Sequence, residues 1–289
     1  MSGSNNRLGI LLMIATTFVF AMQDGISRHL ASEYNVYLVV MIRYWFFAAF
    51  VVALSARRTG GLKTVIATKH PVLQCIRGAL LALEIVVTVL AFTLLGLTET
   101  HAIFICYPLI IAALSGPILG ETVGWRRWSA IGIGMVGVLI ILQPGFGVFS
   151  PAAVIPLVGA LMFAVYGLLT RYVAAKDSSA TSFFYTGTVG MVVMTSIGIW
   201  YWEPISGPNW IWMIALCISG VLGHWLLIKT YEYAEASAVQ PFAYLQLPFA
   251  AALGMLAFGE TLRTNVAIGA VIVVGAGLFT LWRERQSQA

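Results

Sequence analysis

The sequence predicts an all-α membrane protein in which ten transmembrane helices form two inverted five-helix repeats around a central cavity. Three observations predict this fold: the composition, the spacing of the apolar runs and an internal repeat. Hydrophobic residues make up 60% of the 289 residues and charged residues only 9%, whereas soluble domains carry roughly 25% charged residues. Too few polar residues remain to cover a globule of this size, so lipid must solvate most of the outer surface.

Ten apolar runs follow one another along the chain, each near the roughly 20 residues that a helix needs to span a bilayer. Polar residues, glycine and proline separate the runs, as at Arg57–Gly61 after the second and Gln143–Gly145 after the fifth. The connections are short, which leaves no room for a separate soluble domain. The predicted spans lie near residues 8–30, 35–55, 71–93, 100–119, 127–143, 152–173, 181–201, 210–231, 237–257 and 265–282.

The lysine and arginine residues predict the orientation in the membrane. With a cytoplasmic N-terminus, twelve of the sixteen fall on the inner side, Arg28 and Arg263 fall outside, and Arg43 and Arg77 lie within spans. Basic residues accumulate in cytoplasmic loops. We therefore expect both termini to be cytoplasmic, in a cytoplasmic membrane of the bacterial (inner) type.

An internal repeat divides the chain into two halves. Gly120-Glu121-Thr122 recurs as Gly259-Glu260-Thr261, and each copy is followed by a glycine-rich span. Because five spans is an odd number, the halves must cross the membrane in opposite directions. Inverted repeats of this kind are typical of transporters, whose substrate sites lie near the midplane between the repeats. The predicted repeats are residues 1–145 and 150–289.

Several function classes find no support in the motifs. Residues Gly132–Gly137 read G-x-G-x-x-G, but they lie within a predicted span, whereas a dinucleotide site needs a strand before the motif and a helix opening at it. No H-E-x-x-H, G-x-S-x-G or P-loop pattern occurs. Cys75, Cys106 and Cys217 form no disulfide or metal pattern. We expect no cofactor, no metal and no nucleic-acid partner, and the chain is predicted not to be an enzyme.

The arrangement resembles the EamA-type members of the drug/metabolite transporter superfamily. The resemblance covers the whole chain and rests on Arg43, the mid-span Pro108 and Pro248, the Gly-Glu pairs after helices four and nine, and the glycine-rich helices five and ten. Within that superfamily the chain is similar to bacterial aromatic amino-acid exporters of the YddG kind. This resemblance implies ten helices forming a basket around a central cavity, and export of amino acids and related metabolites.

Asp24 and Arg43 are ionisable residues within the first two predicted spans. A short outer loop makes these spans antiparallel neighbours, so we expect a mutual ion pair between the two side chains. Such residues are costly in lipid, by roughly 2.5–3.5 kcal/mol or more at the centre of a helix, and often mark function. A structural clamp or a contact with lipid headgroups is the alternative.

Glu84 lies near the middle of the third span, among leucine, isoleucine and valine residues. A carboxylate at the midplane could bind a substrate amino group, or take up a proton to couple transport to a proton gradient. The alternative is a protonated side chain hydrogen-bonded to a neighbouring helix. Arg77 lies about 10 Å away along the same helix at ~1.5 Å per residue, so no direct pair with Glu84 is expected.

Aromatic, amide and histidine side chains at similar predicted depth complete the candidate cavity. Such a lining suits amino acids with apolar or aromatic side chains, and ordinary packing between helices is the alternative. The two prolines are candidate hinges, since proline frees a backbone carbonyl one turn earlier. His101 and Glu99 are expected to be solvated at the outer mouth. The remaining candidate binding residues are Tyr107, Tyr166, His224, Trp225, Gln240, Tyr244 and Gln246.

The leading function predicted is a secondary transporter that exports amino acids, aromatic or hydrophobic, and related small metabolites by alternating access. The partners are then a small-molecule substrate and the lipid bilayer, with the oligomeric state left open. A drug or organic-cation exporter, with Glu84 as the cation partner, is the alternative in the same class. A channel and an intramembrane enzyme are the alternatives from other classes. Facilitated diffusion and proton exchange both fit as the driving force.

Overall fold

Helices make up all of the regular structure in the described residues, which are 6–57, 61–119, 125–142, 151–234, 239 and 242–288 of the computed structural model. Two of the helical segments, Pro151–Ala153 and Ile199–Tyr201, are single 3-10 turns. In chain order the α-helices are α1 (Asn6–Glu33), α2 (Val36–Ala56), α3 (Gly61–Ile66), α4 (Pro71–Phe104), α5 (Tyr107–Leu119), α6 (Trp125–Leu142), α7 (Val154–Ala174), α8 (Ser179–Gly198), α9 (Asn209–Tyr233), α10 (Gln246–Phe258) and α11 (Thr264–Gln288).

Six helical stretches in the described part of the chain are long and apolar enough to cross a membrane, and four shorter apolar helices accompany them. The all-α membrane fold is therefore confirmed, while the count of ten spans stays a prediction. The expected third and fourth spans are joined in α4, which bends at Gly96 where φ is 83°. The G-x-G-x-x-G segment Gly132–Gly137 lies inside α6, so the strand that a dinucleotide site needs does not precede it.

The helices pack most extensively in four pairs: α1 with α9, α4 with α7, α2 with α8, and α6 with α11. If the two halves are exchanged, α1 takes the place of α7 and α9 takes the place of α4, so the α1–α9 pair becomes the α7–α4 pair. The α2–α8 pair and the α6–α11 pair each map onto themselves. The smaller contacts of α5 with α7 and of α1 with α10 exchange in the same way. This is the pattern expected of two repeats related by a pseudo-two-fold axis, and the inverted relation stays a prediction.

Polar contacts define two ends of the bundle. At one end, Tyr34 Oη donates to Ser206 Oγ at 3.1 Å, and the side chain of Asn209 donates to Glu33. We call this the outer end, following the charge-based prediction. At the inner end, the Asp177 carboxylate accepts a hydrogen bond from the backbone N–H of Lys69 at 2.9 Å. Which end faces the cytoplasm stays a prediction.

A clasp at the outer end holds the bend of α4. The two oxygens of Glu260 accept hydrogen bonds from the backbone N–H groups of Leu97 and Thr98, both at 2.8 Å. The Arg28 guanidinium of α1 pairs with the same carboxylate. A Cβ atom on Gly96 would lie 2.5 Å from Glu260 Oε1, so glycine is needed both for its positive φ and for this approach. The clasp thus ties α1 and the α10–α11 connection to the bend. Glu121, the counterpart of Glu260 in the repeat, lies outside the described residues.

Acid is expected to open this clasp. Burial alone would raise the pKa of the Glu260 carboxyl, but the hydrogen bonds from Thr98 and Leu97 and the charge of Arg28 outweigh it and hold that pKa below its usual range. A carboxyl with a lowered folded-state pKa stabilises the fold fully at neutral pH, and this contribution is lost as the pH falls through the folded-state pKa. We expect Glu260→Gln to melt at a lower temperature than the parent at neutral pH, with the difference shrinking in acid. A difference independent of pH would contradict this assignment.

Two glycines bring α6 and α11 into close contact. A Cβ atom on Gly137 would lie 2.8 Å from the carbonyl oxygen of Gly269, and one on Gly269 would lie 2.5 Å from the carbonyl oxygen of Gly137. Close approach at small residues is how helices associate in a membrane, where hydrophobicity provides no driving force. The role of this pair of glycines is therefore to allow close packing of α6 against α11. Gly132 and Gly275 have open space where a Cβ would stand.

Gly269→Leu is expected to lower the free energy of unfolding by about 2 kcal/mol, since overfilling a packed contact costs about 1–3 kcal/mol. Gly275→Leu on the same helix is the matched control, because nothing lies within 4 Å of the Cβ position at Gly275. Melting of both variants in detergent measures the difference. Equal melting temperatures for the two variants would show that the close approach of α6 and α11 does not stabilise the fold.

Candidate functional site

Arg77 on α4 is fully buried, and its guanidinium joins three helices. Its Nη1 donates to Tyr166 Oη at 3.2 Å and Thr170 Oγ1 at 3.3 Å on α7, and its Nη2 donates to the carbonyl oxygen of Ser182 on α8. Both Nε and Nη2 also donate to Gln74 Oε1, at 3.2 and 2.9 Å. All of these acceptors are uncharged, so Arg77 is held by hydrogen bonds and works as a clamp between α4, α7 and α8.

Arg43 on α2 is also buried, and its guanidinium reaches α9. Its Nη2 lies 3.3 Å from His224 Nε2, and its Nε packs against Gly220, where a Cβ atom would stand only 2.7 Å away. The His224 ring stacks on Phe47 with centroids 6.0 Å apart. Within the described residues, no carboxylate lies at ion-pair distance from Arg43. The guanidinium charge is thus buried beside an imidazole and remains without a carboxylate partner.

The contact with Arg43 determines how His224 can hydrogen-bond. A guanidinium only donates, so Nε2 of His224 must accept, and the ring proton of a neutral imidazole then lies on Nδ1. That Nδ1 is buried and has no hydrogen-bond partner in the described part of the chain, and neither has the buried hydroxyl of Tyr44. Buried donors without partners are uncommon and call for an explanation. A ligand that accepts hydrogen bonds would satisfy both.

Glu84 is buried on α4, as its apolar sequence context predicts, with 4% of its surface exposed. Its Oε1 accepts a hydrogen bond from Thr88 Oγ1 at 2.6 Å. Arg77 makes its contacts elsewhere, which confirms the prediction that the two residues of α4 do not pair. No cationic side chain among the described residues lies within ion-pair distance of Glu84, although Arg43 and Asp24 act on it through their charges.

The predicted ion pair between Asp24 and Arg43 is wrong. Asp24 Oδ2 instead lies 3.2 Å from His101 Nε2 and accepts a hydrogen bond from Gln246 Nε2, also at 3.2 Å. The reason is that a short connection does not make α1 and α2 packing partners. α1 packs mainly against α9, and also against α10 and α4, whereas α2 packs mainly against α8. The Asp24 side chain therefore faces α4 and α10, while Arg43 faces α9.

Three of the predicted aromatic residues are buried near Phe163 of α7, two of them in contact with its ring. Tyr107 meets Phe163 edge to face, with centroids 5.0 Å apart, and Tyr166 lies 6.0 Å from the same ring. Tyr244 is 4% exposed and belongs to the same core as Tyr107. A small cavity between α5, α7 and α9 is lined in part by Phe163, Tyr166 and Thr170, directly beside the Arg77 clamp.

One of the predicted residues is not part of this buried set, and one is not described. Trp225 is 41% exposed and lines a cleft between α2, α8 and α9 together with Phe183 and Lys229. It follows His224 directly, and successive helical residues point about 100° apart, so the Trp225 side chain projects in a different direction from the buried His224 ring. Gln240 lies outside the described residues.

Both predicted hinge prolines lie in the first turn of a new helix. A turn at Ile105 and Cys106 separates α4 from α5 before Pro108, although Ile105 keeps right-handed helical φ and ψ angles, and α10 begins at Gln246, two residues before Pro248. Proline is favoured at this position because its missing N–H has no partner to lose there. The expected fourth span is thus divided between the end of α4 and α5, close to the proline that was predicted to be a hinge. Whether the breaks act as hinges stays a prediction.

Sequence reasoning missed three residues of the interior. His101 was expected to be solvated, and its exposure is only 1%. The apolar residues that follow it, Ala102 and Ile103, were the available signal. Arg77 was not assigned partners, although Gln74 lies one turn before it on the same face. Tyr44 gave no signal, because a tyrosine within an apolar span reads as ordinary packing.

A bundle of apolar helices with buried ionisable and aromatic side chains in its interior defines a polytopic membrane protein built to accommodate a polar solute, which is the class of membrane transporters. The sequence matches the EamA-like transporter family twice, over residues 7–143 and again over residues 150–282. The chain belongs to the EamA-like transporter family.

Relatives with assigned substrates cover almost the whole chain. An S-adenosylmethionine uptake transporter of Rickettsia prowazekii is 25% identical over 97% of this chain and 95% of its own length. A riboflavin transporter of Vibrio cholerae is 26% identical, with the same coverage of both chains. A pseudopaline exporter of Pseudomonas aeruginosa is 21% identical over 93% of this chain and 94% of its own.

One crystal structure of another protein has the same fold. It superposes on this chain with a TM-score of 0.65 at 18% sequence identity, and the superposition covers 98% of each chain. The relatives support the membrane transporter and the broader superfamily that the sequence predicted. They do not confirm the narrower resemblance to aromatic amino-acid exporters, since their names refer to other metabolites.

Proposed function

We propose that this chain is a secondary transporter of a zwitterionic metabolite that carries both an amino-acid group and an aromatic ring, with S-adenosylmethionine as the first substrate to test. The observation that carries the proposal is that two buried ionisable side chains, Glu84 and Arg43, have no ion-pair partner in the described part of the chain. Isolated charges are expensive inside a membrane. A zwitterionic substrate would neutralise both.

The chemistry of each group fits one part of such a substrate. The Arg43 guanidinium and the free Nδ1–H of His224 can donate hydrogen bonds to a carboxylate, which prefers charged donors. The Glu84 carboxylate suits an ammonium or a sulfonium group. The aromatic side chains Tyr166, Phe163 and Tyr107 provide the apolar lining that binding sites for aromatic ligands have.

The relatives support this substrate class and leave the direction of transport open. Relatives named for S-adenosylmethionine uptake occur in several Rickettsia species, and a relative in Pseudomonas aeruginosa is named an exporter. A secondary transporter moves its substrate in whichever direction the gradients favour. Alternating access between the two repeats, with the interior site at their seam, is the mechanism that an inverted arrangement supports. Export of free aromatic amino acids therefore remains in the panel to be tested.

Riboflavin is the second candidate. It is uncharged at neutral pH and rich in hydroxyl and carbonyl groups, so it could satisfy the unpartnered Tyr44 hydroxyl and His224 Nδ1. It would leave Glu84 and Arg43 without countercharges, which is why it ranks below a zwitterion. Relatives in Vibrio cholerae and Rhizobium johnstonii are named riboflavin transporters.

Counterflow in proteoliposomes tests the proposal. Vesicles loaded with unlabelled substrate should take up labelled S-adenosylmethionine faster than empty vesicles, because only a carrier exchanges substrate across its two faces. External methionine should compete, while tetraphenylphosphonium should not. Competition by tetraphenylphosphonium would favour the organic-cation alternative, and uptake that internal substrate does not stimulate would favour a channel. If labelled riboflavin or phenylalanine exchanges and S-adenosylmethionine does not, the proposed substrate is wrong.

A further inference from the structure

Asp24 and His101 meet in the outer half of the bundle, where three helices converge. His101 Nε2 of α4 lies 3.2 Å from Asp24 Oδ2 of α1, and their side chains are 2% and 13% exposed. The imidazole lies between Phe92 and Phe104, with ring centroids 5.3 and 6.2 Å away. The distance is that of an ion pair, yet Nε2 is not aligned for a hydrogen bond and has no other partner. The contact is therefore an ion pair when the imidazole carries a second proton.

The charged groups around the pair are engaged elsewhere. Arg28, one turn after Asp24 on α1, is paired with Glu260. Arg43 of α2 contacts His224 of α9. On α4, Glu84 accepts its hydrogen bond from Thr88, and Glu99 pairs with Arg263 at the outer surface. From α10, the group that faces Asp24 is the uncharged amide of Gln246.

Two charge states are open to this site, and they differ by one proton. With a neutral imidazole the site carries the negative charge of Asp24 alone, and a single buried charge is costly in a medium of low polarity. With a protonated imidazole the site is a neutral ion pair. Imidazole is the side chain whose charge changes most readily at physiological pH. The Asp24 side chain, 13% exposed against 2% for His101, is the more accessible of the two groups.

We propose that Asp24 and His101 form a proton-binding site that couples substrate transport to the proton gradient. The coupling part of this inference rests on the proposed transport function, whereas the geometry of the pair does not. In one half of the cycle a proton neutralises the Asp24 carboxylate through His101. In the other half, the positive charge of the substrate bound in the interior of the same bundle stabilises the Asp24 carboxylate without the proton. The proton is then released from His101.

Gln246 connects the proton site to the moving parts of the fold. It is the first residue of α10, directly after the break in the helix and two residues before Pro248. Its Nε2 donates to the same Oδ2 of Asp24 that faces His101. A proton that draws Asp24 toward the imidazole weakens this hydrogen bond, so the state of the pair is transmitted to the start of α10.

Proton movement in proteoliposomes that contain a pH-sensitive dye tests the proposal. Adding S-adenosylmethionine to the parent protein should produce a proton flux that depends on the substrate. His101→Gln and Asp24→Asn should reduce this flux to the level of protein-free vesicles while substrate counterflow continues. His29→Gln is the matched control, because His29 packs against Trp212 near the outer end of α1, with ring centroids 5.2 Å apart, away from the pair.

The outcomes separate this inference from the proposed function. Counterflow without any proton flux in the parent protein overturns the proton site and leaves the transporter intact. A flux unchanged in both His101→Gln and Asp24→Asn also overturns it. If His101→Gln loses its fold, Asp24→Asn decides the question, since asparagine keeps an oxygen that can accept from Gln246. Absence of counterflow for every substrate in the parent protein contradicts the proposed function instead, and the coupling that rests on it falls with it.

Discussion

Replacing Arg77 with methionine is expected to lower the free energy of unfolding by about 3 kcal/mol or more, because each buried polar group that loses its partner costs about 1–3 kcal/mol. Gln74 Oε1 loses two donors, and Tyr166, Thr170 and Ser182 lose one each. α4, α7 and α8 are then no longer joined at this point. We expect little folded protein to survive extraction into detergent.

The melting temperature in detergent measures this effect. Arg77→Lys should recover only part of the loss, because an ammonium group retains the charge but cannot replace the planar fork of donors. Arg57→Gln is the control, since Arg57 is exposed at the C-terminal cap of α2. Melting of Arg77→Met at the temperature of the control would show that Arg77 is not a clamp and would make it a new candidate for substrate binding.

Replacing Glu84 with glutamine is expected to abolish most transport and leave the fold in place. Glutamine has the same shape and can still accept the hydrogen bond from Thr88. The loss of the charge should cost at least about 2 kcal/mol in the binding of a cationic group, as truncation of one partner of a buried charge pair does. Uptake at low substrate concentration should therefore fall by about 30-fold or more.

Initial rates of uptake across a range of pH values check this prediction. Glu99→Gln is the matched control on the same helix, because Glu99 pairs with Arg263 at the outer surface. An unchanged rate and an unchanged pH profile for Glu84→Gln would exclude both the role in binding an amino group and a role in binding a proton. A fall in rate shared equally by Glu99→Gln would indicate a general loss of charge rather than a site.

The positions of the helices followed closely from the sequence. The second span was predicted near 35–55 and is formed by α2, Val36–Ala56, and the sixth was predicted near 152–173 and is formed mainly by α7, Val154–Ala174. The agreement has a simple cause, since a chain in lipid must satisfy its backbone hydrogen bonds within each segment and an apolar run of this length can do so only as a helix. The interruption near Pro108 was predicted from the proline as a candidate hinge, while the exact end of α4 was not predicted because hydropathy is unchanged across it.

The candidate site was predicted residue by residue but not pair by pair. Burial of Glu84 and His224 followed from their apolar surroundings, because a polar residue in a spanning helix faces the interior of the bundle. The partner of Asp24 did not follow, since it was assigned by nearness along the chain. His101 lies far from Asp24 in the sequence, and only the packing of α4 against α1 brings them together.

The sequence by itself determined that this protein lies in the membrane, where most of its helices run and that Glu84 and His224 lie in its interior. Each of these depends on the transfer of a residue between water and lipid, which composition and spacing record directly. The tertiary structure alone decided that Asp24 meets His101, that Arg43 meets His224 and that Arg77 clamps three helices. Those contacts depend on how each helix is rotated about its axis and which helix lies beside it. Packing between residues distant in the chain sets both, and a local pattern in the sequence does not record it.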